Sequence, residues 1–296
     1  MISSTVDSLL ARHSARRRKD MSSEVLPTCS IDTPVGPVRV YDSKTEKPCV
    51  VFVPDGPNVI EHYERLIELL SSKSRVVCFD MPGFGFSLPH SSYEHSLDQG
   101  AQAVLGVLDA LAIKNATLAF SCANGFYALR VAQIAPERVS SLVLSQTPSM
   151  SAMHAWGKRA IPWPLGVPVL GQIVGWLNRK KTAHVWYGIA LPRTTSAKPF
   201  EDKAQNALSG GGCFCLASVF QSLVREKVDS LLGVTTPCTL LWGTKDHSHK
   251  YTDPLSLHEL VPSAEIVRFE DCGHFPDVEQ PERFAAILME RVARYA

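Results

Sequence analysis

The stretch Thr117-Leu-Ala-Phe-Ser-Cys-Ala-Asn-Gly-Phe-Tyr-Ala-Leu129 decides the fold of this chain. Its first residues are mostly apolar and predict a buried strand, and the residues after Cys122 predict a helix. Cys122 therefore lies at a sharp turn between a strand and a helix. Because the N-terminus of a helix carries partial positive charge, it can lower the pKa of a thiol there and activate it as a nucleophile.

Strand-like and helix-like segments alternate on both sides of this turn. Residues 48–54, 75–80 and 139–144 form short apolar runs, which are typical of buried strands. Residues 97–111 have apolar side chains at helical spacing. This alternation predicts an α/β fold with a mostly parallel central sheet flanked by helices.

The alternation stops near residue 150 and resumes near residue 235. We predict that residues 25–150 and 235–296 form one core, and that residues 151–234 form a helical lid inserted above the site. Four of the five tryptophans lie in this insertion: Trp156, Trp163, Trp176 and Trp186. They favour a largely apolar substrate, although they could equally form the insertion's own small core or a dimer interface.

The composition is that of an ordinary globular protein, with 296 residues, 45% of them apolar and 20% charged. The formal net charge of +1 gives no indication of nucleic acid as a partner. No run approaches the ~20 apolar residues of a membrane span. The eight cysteines include no CxxC pair, so neither a disulfide framework nor a zinc site is predicted. We expect a cytoplasmic protein that acts on a small molecule without a metal or cofactor; its oligomeric state stays open.

Residues 1–24 precede the core and are predicted to be a poorly ordered extension or a frayed helix. Several arginines and serines there also fit an organelle-targeting segment. Asp7 and Asp20 count against targeting, because such segments are poor in acidic residues.

Four short motifs resemble those of the α/β-hydrolase family. Phe79-Asp-Met-Pro-Gly-Phe-Gly-Phe-Ser87 is similar to the family's Asp-x-Pro-Gly-x-Gly-x-Ser turn, and the elbow at residues 120–125 follows it. Trp242-Gly-Thr-Lys-Asp246 and Asp271-Cys-Gly-His274 are similar to the loops that carry the acid and the histidine. The order nucleophile, acid, histidine is the one this fold uses. The resemblance extends over nearly all of the chain after residue 35.

The resemblance implies a triad of Cys122, His274 and Asp246, with cysteine where most members have serine. Dienelactone hydrolases in this family also use cysteine, but between elbow glycines that here read Phe120 and Asn124. In such a triad the histidine activates the nucleophile and the acid orients the histidine. The neighbouring His247 and His249 are interpreted as loop surface.

Ser121 is an alternative nucleophile, because Ala119-Phe-Ser-Cys-Ala123 fits a loose small-x-Ser-x-small pattern. In the family, the nucleophile typically follows a Leu-Asp-x-Leu motif at a distance of about eleven residues. Leu108-Asp-Ala-Leu111 followed by eleven residues ends on Cys122, which favours the cysteine. A structural cysteine in an inactive site is the remaining interpretation.

Asp55-Gly56-Pro57 matches the family's oxyanion-binding segment, which usually reads His-Gly-x and uses the N–H of x. Pro57 has no N–H to donate. The Ala123 N–H would supply one donor, and the Asn58 N–H or the Asn124 side chain could supply another. Asp55 places a carboxylate beside the pocket, where it could bind substrate or act as an acid or base.

Three functions follow from these residues. We favour a hydrolase or acyltransferase that forms a thioester on Cys122 from a small, largely apolar ester, thioester or lactone. The alternative is a lyase, isomerase or cyclase that uses His274 and Asp55 for proton transfer. The third is a catalytically silent binding protein. The fold alone cannot decide among them, because it hosts many chemistries.

Overall fold

A computed structural model of the chain describes residues 2–16 and 26–295. The strands are β1 (Thr28–Thr33), β2 (Gly36–Asp42), β3 (Cys49–Val53), β4 (Arg75–Phe79), β5 (Phe84–Gly85), β6 (Ala116–Ser121), β7 (Val139–Ser145), β8 (Cys213–Phe214), β9 (Cys238–Gly243) and β10 (Glu265–Phe269). The α-helices are α1 (Ile2–Ala15), α2 (Glu64–Ser71), α3 (Leu97–Ala110), α4 (Ala123–Ile134), α5 (Met150–Ala160), α6 (Trp163–Gly166), α7 (Leu170–Ala190), α8 (Lys198–Ser209), α9 (Leu216–Leu223), α10 (Pro276–Glu279) and α11 (Pro281–Tyr295). Short 3₁₀ helices span Ile60–Tyr63, Pro136–Arg138 and Pro254–Glu259.

Eight of the strands form one sheet in the order β1-β2-β4-β3-β6-β7-β9-β10. The β1–β2 and β2–β4 pairs are antiparallel, and all pairs from β4 to β10 are parallel. β5 and β8 form a separate antiparallel pair. The predicted α/β fold with a mostly parallel sheet is confirmed.

The strand order places a crevice at the carboxyl ends of β3 and β6. The chain runs from β3 outward to β4 and then crosses to β6 on the other side of β3. Ligands in open α/β sheets bind at such a reversal of strand order. Asp55 follows β3 and Cys122 follows β6, so both are positioned at this crevice by the topology.

The turn at residues 79–87 is organised by a buried carboxylate. Asp80 accepts hydrogen bonds from the backbone N–H groups of Phe86 at 3.0 Å and Ile60 at 3.3 Å. Arg39 lies with Nη1 3.4 Å from Asp80 Oδ2 and also pairs with Glu61. Because the Asp80 side chain is only 1% exposed, it depends on Arg39 for charge compensation.

A helical insertion, α5 to α9, separates β7 from β9. Trp156 is buried and its indole donates to the Ser248 carbonyl at 2.8 Å. Trp186 packs on Trp156 with ring centroids 6.1 Å apart. The other two tryptophans lie elsewhere: Trp163 is 75% exposed, and the Trp176 indole donates to Ser14 Oγ at 2.9 Å.

The N-terminal helix α1 packs on this insertion. It buries Asp7 and Ala11, and the Ser218 hydroxyl of α9 donates to the Asp7 carboxylate. Of the two interpretations of the N-terminal extension, a poorly ordered segment or a frayed helix, residues 2–16 have the helical form, with a polar face buried against α7 and α9. Residues 17–24, with part of the proposed targeting segment, lie outside the described residues. None of the helices in the described part of the chain has the length and apolar character of a membrane span.

We expect Arg39→Met to lower the free energy of unfolding by about 3–5 kcal/mol, because it leaves the buried Asp80 carboxylate unpaired. Burial raises the pKa of Asp80 to about 6, while Arg39 opposes that rise. The loss should therefore be larger above this pKa than below it, where a protonated Asp80 no longer needs the cation. Urea denaturation of wild type and variant, once above and once below the pKa of Asp80, measures the loss of unfolding free energy in each condition.

The control is Arg65→Met, which removes pairs to Glu68 and Glu282 from a half-exposed guanidinium. Water and salt screen exposed pairs of this kind, so their loss should change stability far less than the loss of Arg39. Equal losses in the two variants would contradict the structural role of Arg39.

Candidate active site

Cys122 occupies the apex of the turn between β6 and α4. Its backbone has φ 50° and ψ −122°, a strained conformation for a residue with a side chain. The Cys122 N–H donates to the Ser145 carbonyl at 2.7 Å, and the Cys122 carbonyl accepts from the Thr147 hydroxyl at 3.0 Å. These contacts hold the thiol at the carboxyl edge of the sheet, as the sequence predicted.

The residues that replace the elbow glycines are accommodated by different contacts. Phe120 is buried in the core and packs edge-on against Phe79, with ring centroids 6.4 Å apart. The Asn124 side chain donates to the Pro54 carbonyl at 3.2 Å. Gly125 is the one glycine the turn requires, because a Cβ there would lie 2.1 Å from Thr147 Oγ1.

Ser121 is not placed to act as the nucleophile. Its hydroxyl donates to Asp277 Oδ2 at 3.0 Å, and the Tyr63 hydroxyl donates to the same oxygen at 2.6 Å. It is absent from the lining of the cavity that Cys122 faces. Ser121 therefore serves a buried hydrogen-bond network, which argues against it as the alternative nucleophile.

Asp246 and His274 come together at the ends of β9 and β10. His274 Nδ1 lies 2.6 Å from Asp246 Oδ2, which also accepts from the Gln146 side chain at 2.6 Å. Burial alone would raise the pKa of Asp246, but His274 outweighs it and the pKa falls to about 2. Asp246 thus stays ionised and can fix the tautomer and orientation of the imidazole.

The second ring nitrogen of His274 faces Asp55 rather than standing free for the thiol. His274 Nε2 lies 3.0 Å from Asp55 Oδ2, and both side chains are buried. Burial raises the pKa of Asp55, and His274 opposes that rise only in part. Burial lowers the pKa of His274, yet Asp246 and other anionic neighbours bring it well above its usual value. The imidazole therefore sits between two carboxylates and holds its proton in the resting site.

This arrangement corrects one expectation about Cys122. Burial raises the pKa of its thiol, the Asp55 carboxylate raises it further, and His274 offsets the rise only in part. The lowered pKa expected from the helix N-terminus and the histidine is therefore wrong for the resting site. The Cys122 thiol therefore stays neutral as long as Asp55 and His274 keep the protonation states of the resting site.

The oxyanion-binding residues also differ from expectation. The Asn58 N–H donates to the Asp55 carbonyl at 3.0 Å, so it is not directed at a substrate. Pro57 follows a cis peptide bond and lies outside the lining of the cavity. Ala123, Asn124 and the Asp55 side chain do line it. One backbone N–H at the helix N-terminus and the side chains of Asp55 and Asn124 thus border the cavity that Cys122 faces.

Comparisons with known proteins identify the fold family. A model of the alpha/beta hydrolase family matches residues 50–287. The chain belongs to this family.

Two named relatives are hydrolases. The 2-hydroxymuconate semialdehyde hydrolase of Pseudomonas sp. (strain CF600) is 25% identical over 265 residues, 86% of this chain and 90% of that protein. The zearalenone hydrolase of Bionectria ochroleuca is 30% identical over 130 residues, 42% of this chain and 49% of that protein. Family and relatives together indicate an enzyme of the hydrolase type.

Solved structures share the fold at low sequence identity. A putative acyltransferase from Salmonella enterica superposes with a TM-score of 0.79 at 17% identity, covering 94% of this chain and 99% of that one. An epoxide hydrolase from Vigna radiata has a TM-score of 0.72 at 18% identity, covering 93% and 100%. At these identities the likeness concerns the fold alone.

His249 is buried beside His274 and Trp156, although its sequence context suggested loop surface. Its ring stacks on Trp156 with centroids 4.9 Å apart and on His274 with centroids 5.3 Å apart. Burial lowers its pKa to about 3, so the ring is neutral. The sequence signal for a buried His249 is its position three residues after Asp246, in the loop that carries the acid. In the structure its backbone N–H lies 3.4 Å from Asp246 Oδ1.

The Cys122 cavity is small and opens beside a larger groove. The cavity measures about 40 Å³, whereas the groove between the α5–α6 segment and α7 measures about 350 Å³. Trp186, Leu216 and Phe220 line both. These three side chains therefore separate the groove from the cavity that Cys122 faces.

The site also contains a set of metal-binding donor atoms. Cys122, His249 and His274 present ligand atoms within 4.8 Å of one another. Both ring nitrogens of His274 already face carboxylates at 2.6 Å and 3.0 Å. His274 therefore has no ring nitrogen left for a metal in this arrangement.

We expect Cys122 to react with iodoacetamide more slowly at neutral pH than the exposed Cys29, because burial and Asp55 raise the pKa of its thiol. Asp55→Asn removes the nearby negative charge, so the midpoint of the Cys122 rate–pH profile should move to lower pH by roughly one pH unit. Peptide mass spectrometry measures both cysteines in one sample.

Asp229→Asn is the matched control, because it removes an exposed carboxylate on the loop after α9. The Cys122 profile should not change in that variant. A profile that is also unchanged in Asp55→Asn would show that Asp55 does not control the thiol.

Proposed function

We propose that this chain hydrolyses a small, largely apolar ester, thioester or lactone through a covalent thioester on Cys122. The observation that carries the proposal is the position of Cys122, strained at the apex of the elbow and lining a cavity beside the His274–Asp246 pair. Strain at a single non-glycine residue is characteristic of functional sites. The named hydrolases among the relatives support the reaction class.

The first step requires the His274 proton to move. Because burial raises the pKa of Asp55, its carboxylate can accept the proton from His274 Nε2 once substrate excludes water from the cavity. His274 is then neutral and can take the Cys122 proton as the sulfur attacks the substrate carbonyl. Asp246 stabilises the imidazolium that forms.

Protonated Asp55 then has a second role. A neutral carboxyl donates a hydrogen bond, and a buried carboxylic acid is known to serve as an oxyanion donor in other enzymes. With the Ala123 N–H it would stabilise the tetrahedral intermediate, in place of the N–H that Pro57 lacks. His274 gives its proton to the leaving group, and the thioester remains on Cys122.

Water completes the reaction. With His274 again acting as base, a water molecule attacks the thioester, and collapse of the second tetrahedral intermediate releases the acid and restores the Cys122 thiol. An amine or alcohol in place of water would make the same intermediate an acyl donor, so acyl transfer uses the same residues.

The substrate's apolar part is proposed to lie in the groove beside the cavity. The groove is lined mainly by apolar side chains such as Ile161, Val185 and Ile189. Since a cavity of about 40 Å³ holds little more than the reacting group, the rest of a substrate must extend past Trp186 and Phe220. The insertion would then act as the lid that the sequence analysis expected.

We expect activated esters and thioesters to give an acyl adduct on Cys122, detected by intact mass and peptide mapping. Cys122→Ala should lose both the adduct and turnover by about 10³-fold or more, as removal of a triad member does. Cys238→Ser is the control, since Cys238 is a buried cysteine within β9. Full turnover in Cys122→Ala would refute covalent catalysis.

The second candidate is a lyase, isomerase or cyclase, and the 3.0 Å contact between His274 Nε2 and Asp55 Oδ2 favours it. Such an enzyme would move protons between these two groups without forming a bond to Cys122. Asp55 then has to gain and lose a proton in every turnover.

Two substitutions of Asp55 separate the candidates. In the thioester mechanism Asp55→Asn keeps a hydrogen-bond donor and should retain turnover within about tenfold, whereas Asp55→Leu should lose about 10²–10³-fold in kcat. In the proton-transfer mechanism both variants should be equally inactive, because neither Asn nor Leu can accept and return a proton. Steady-state kinetics on any substrate that the wild-type protein turns over measures the pattern.

A further inference from the structure

A second group of metal-binding side chains lies outside the active site, where three separate segments meet. Asp7 belongs to α1, His95 precedes α3, and Cys215 precedes α9. All three are buried, and their ligand atoms lie within 4.8 Å of one another. The set consists of a carboxylate oxygen, an imidazole nitrogen and a thiol sulfur.

His95 lacks a partner for one of its polar atoms. The residue is 2% exposed, and its Nε2 atom has no hydrogen-bond partner among residues 2–16 and 26–295. The ring is fixed by Tyr93, whose ring centroid lies 4.6 Å away, and by Phe84 at 6.2 Å. Buried nitrogens are nearly always bonded, so an unpartnered one beside a thiol and a carboxylate points to a missing ligand.

Asp7 lacks a cation. It is 5% exposed, and it accepts a hydrogen bond from the Ser218 hydroxyl. Within residues 2–16 and 26–295, no Lys, Arg or His forms an ion pair with it. Burying a carboxylate without an opposite charge is strongly unfavourable, so a cation at this point would remove the penalty.

We propose that Asp7, His95 and Cys215 bind a Zn²⁺ ion that fastens the N-terminal helix to the body of the protein. Zinc accepts the oxygen, nitrogen and sulfur donors found here, whereas Mg²⁺ and Ca²⁺ prefer oxygen alone. On binding, the Cys215 thiol releases its proton and its sulfur bonds to the metal. The thiolate and the Asp7 carboxylate together neutralise the two positive charges of the ion.

A second cysteine, Cys213, lies next to Cys215. The Cys213 thiol interacts with that of Cys215 and donates weakly to the Gly85 and Ser87 carbonyls at 3.4 Å each. Cys213 is not among the three residues whose ligand atoms lie within 4.8 Å of one another, so we assign three protein ligands to the ion and water to the fourth position. Cys215 is then the sulfur ligand that the cobalt band reports.

The proposed zinc site cannot be recognised from the spacing of cysteines in the sequence. Its ligands come from residues 7, 95 and 215, so neither CxxC nor a short histidine repeat marks it. The catalytic cluster of Cys122, His249 and His274 has similar spacing, but its His274 nitrogens are occupied by carboxylates. The catalytic cluster also holds an unpartnered nitrogen, His249 Nε2, so the two clusters differ in the third donor: His274 is occupied, whereas Asp7 has an anionic oxygen to offer a cation.

The test is the metal content of the full-length chain, produced with zinc in the medium and purified without chelator. We expect about one zinc per chain by mass spectrometry of the metal. Chelation should lower Tm, and added Zn²⁺ should restore it. Co²⁺ loaded into the metal-free protein should give a thiolate-to-cobalt absorption band, which requires a sulfur ligand and does not depend on activity.

Variants locate the ion. Cys215→Ser should abolish the cobalt band, and Asp7→Asn, which preserves size and the Ser218 contact, should weaken zinc binding at least about tenfold. Cys122→Ser and Cys272→Ser should retain both the zinc and the band. Because these ligands are separate from the proposed catalytic residues, failure of either proposal leaves the other intact.

Three results would overturn the proposal. One is a wild-type chain that contains no zinc and whose Tm is insensitive to Zn²⁺. The second is a cobalt band that survives Cys215→Ser. The third is a band that disappears with Cys122→Ser, which would move the metal to the catalytic cluster.

Discussion

The active site depends on one constraint, an imidazole held between two buried carboxylates. His274 lies 2.6 Å from Asp246 and 3.0 Å from Asp55, with all three groups removed from water. At these distances and in this environment the charges interact strongly, so the proton of one group depends on the state of the others. Asp246 stays ionised, and Asp55 is the group whose protonation can change.

Because of this constraint, the site differs from that of a serine hydrolase by more than the replacement of serine by cysteine. A neutral thiol, an unusual carboxylate and a proline at the oxyanion segment occur together. Each is unfavourable for ester hydrolysis when taken alone. In the mechanism that we propose, a single proton passed from His274 to Asp55 makes a base available and supplies an oxyanion donor at once.

The sequence predicted the sheet, the turn at Cys122 and the loops of Asp246 and His274, because each is encoded by local patterns. The contact between His274 and Asp55 could not be predicted, since it joins residues 219 apart in sequence and depends on side-chain rotamers. The burial of His249 was missed because its loop is polar. The packing of helix α1 was not predicted, because three serines and an aspartate make up most of its buried face.

The polar face of α1 has a practical consequence. The helix covers a cavity of about 20 Å³ lined by Asp7, Trp176 and Cys215, and it joins the insertion to the core from outside both. A truncation that starts the chain at β1 would remove the surface against which α7 and α9 of the insertion pack. Expression designs for this enzyme should therefore keep residues 2–16.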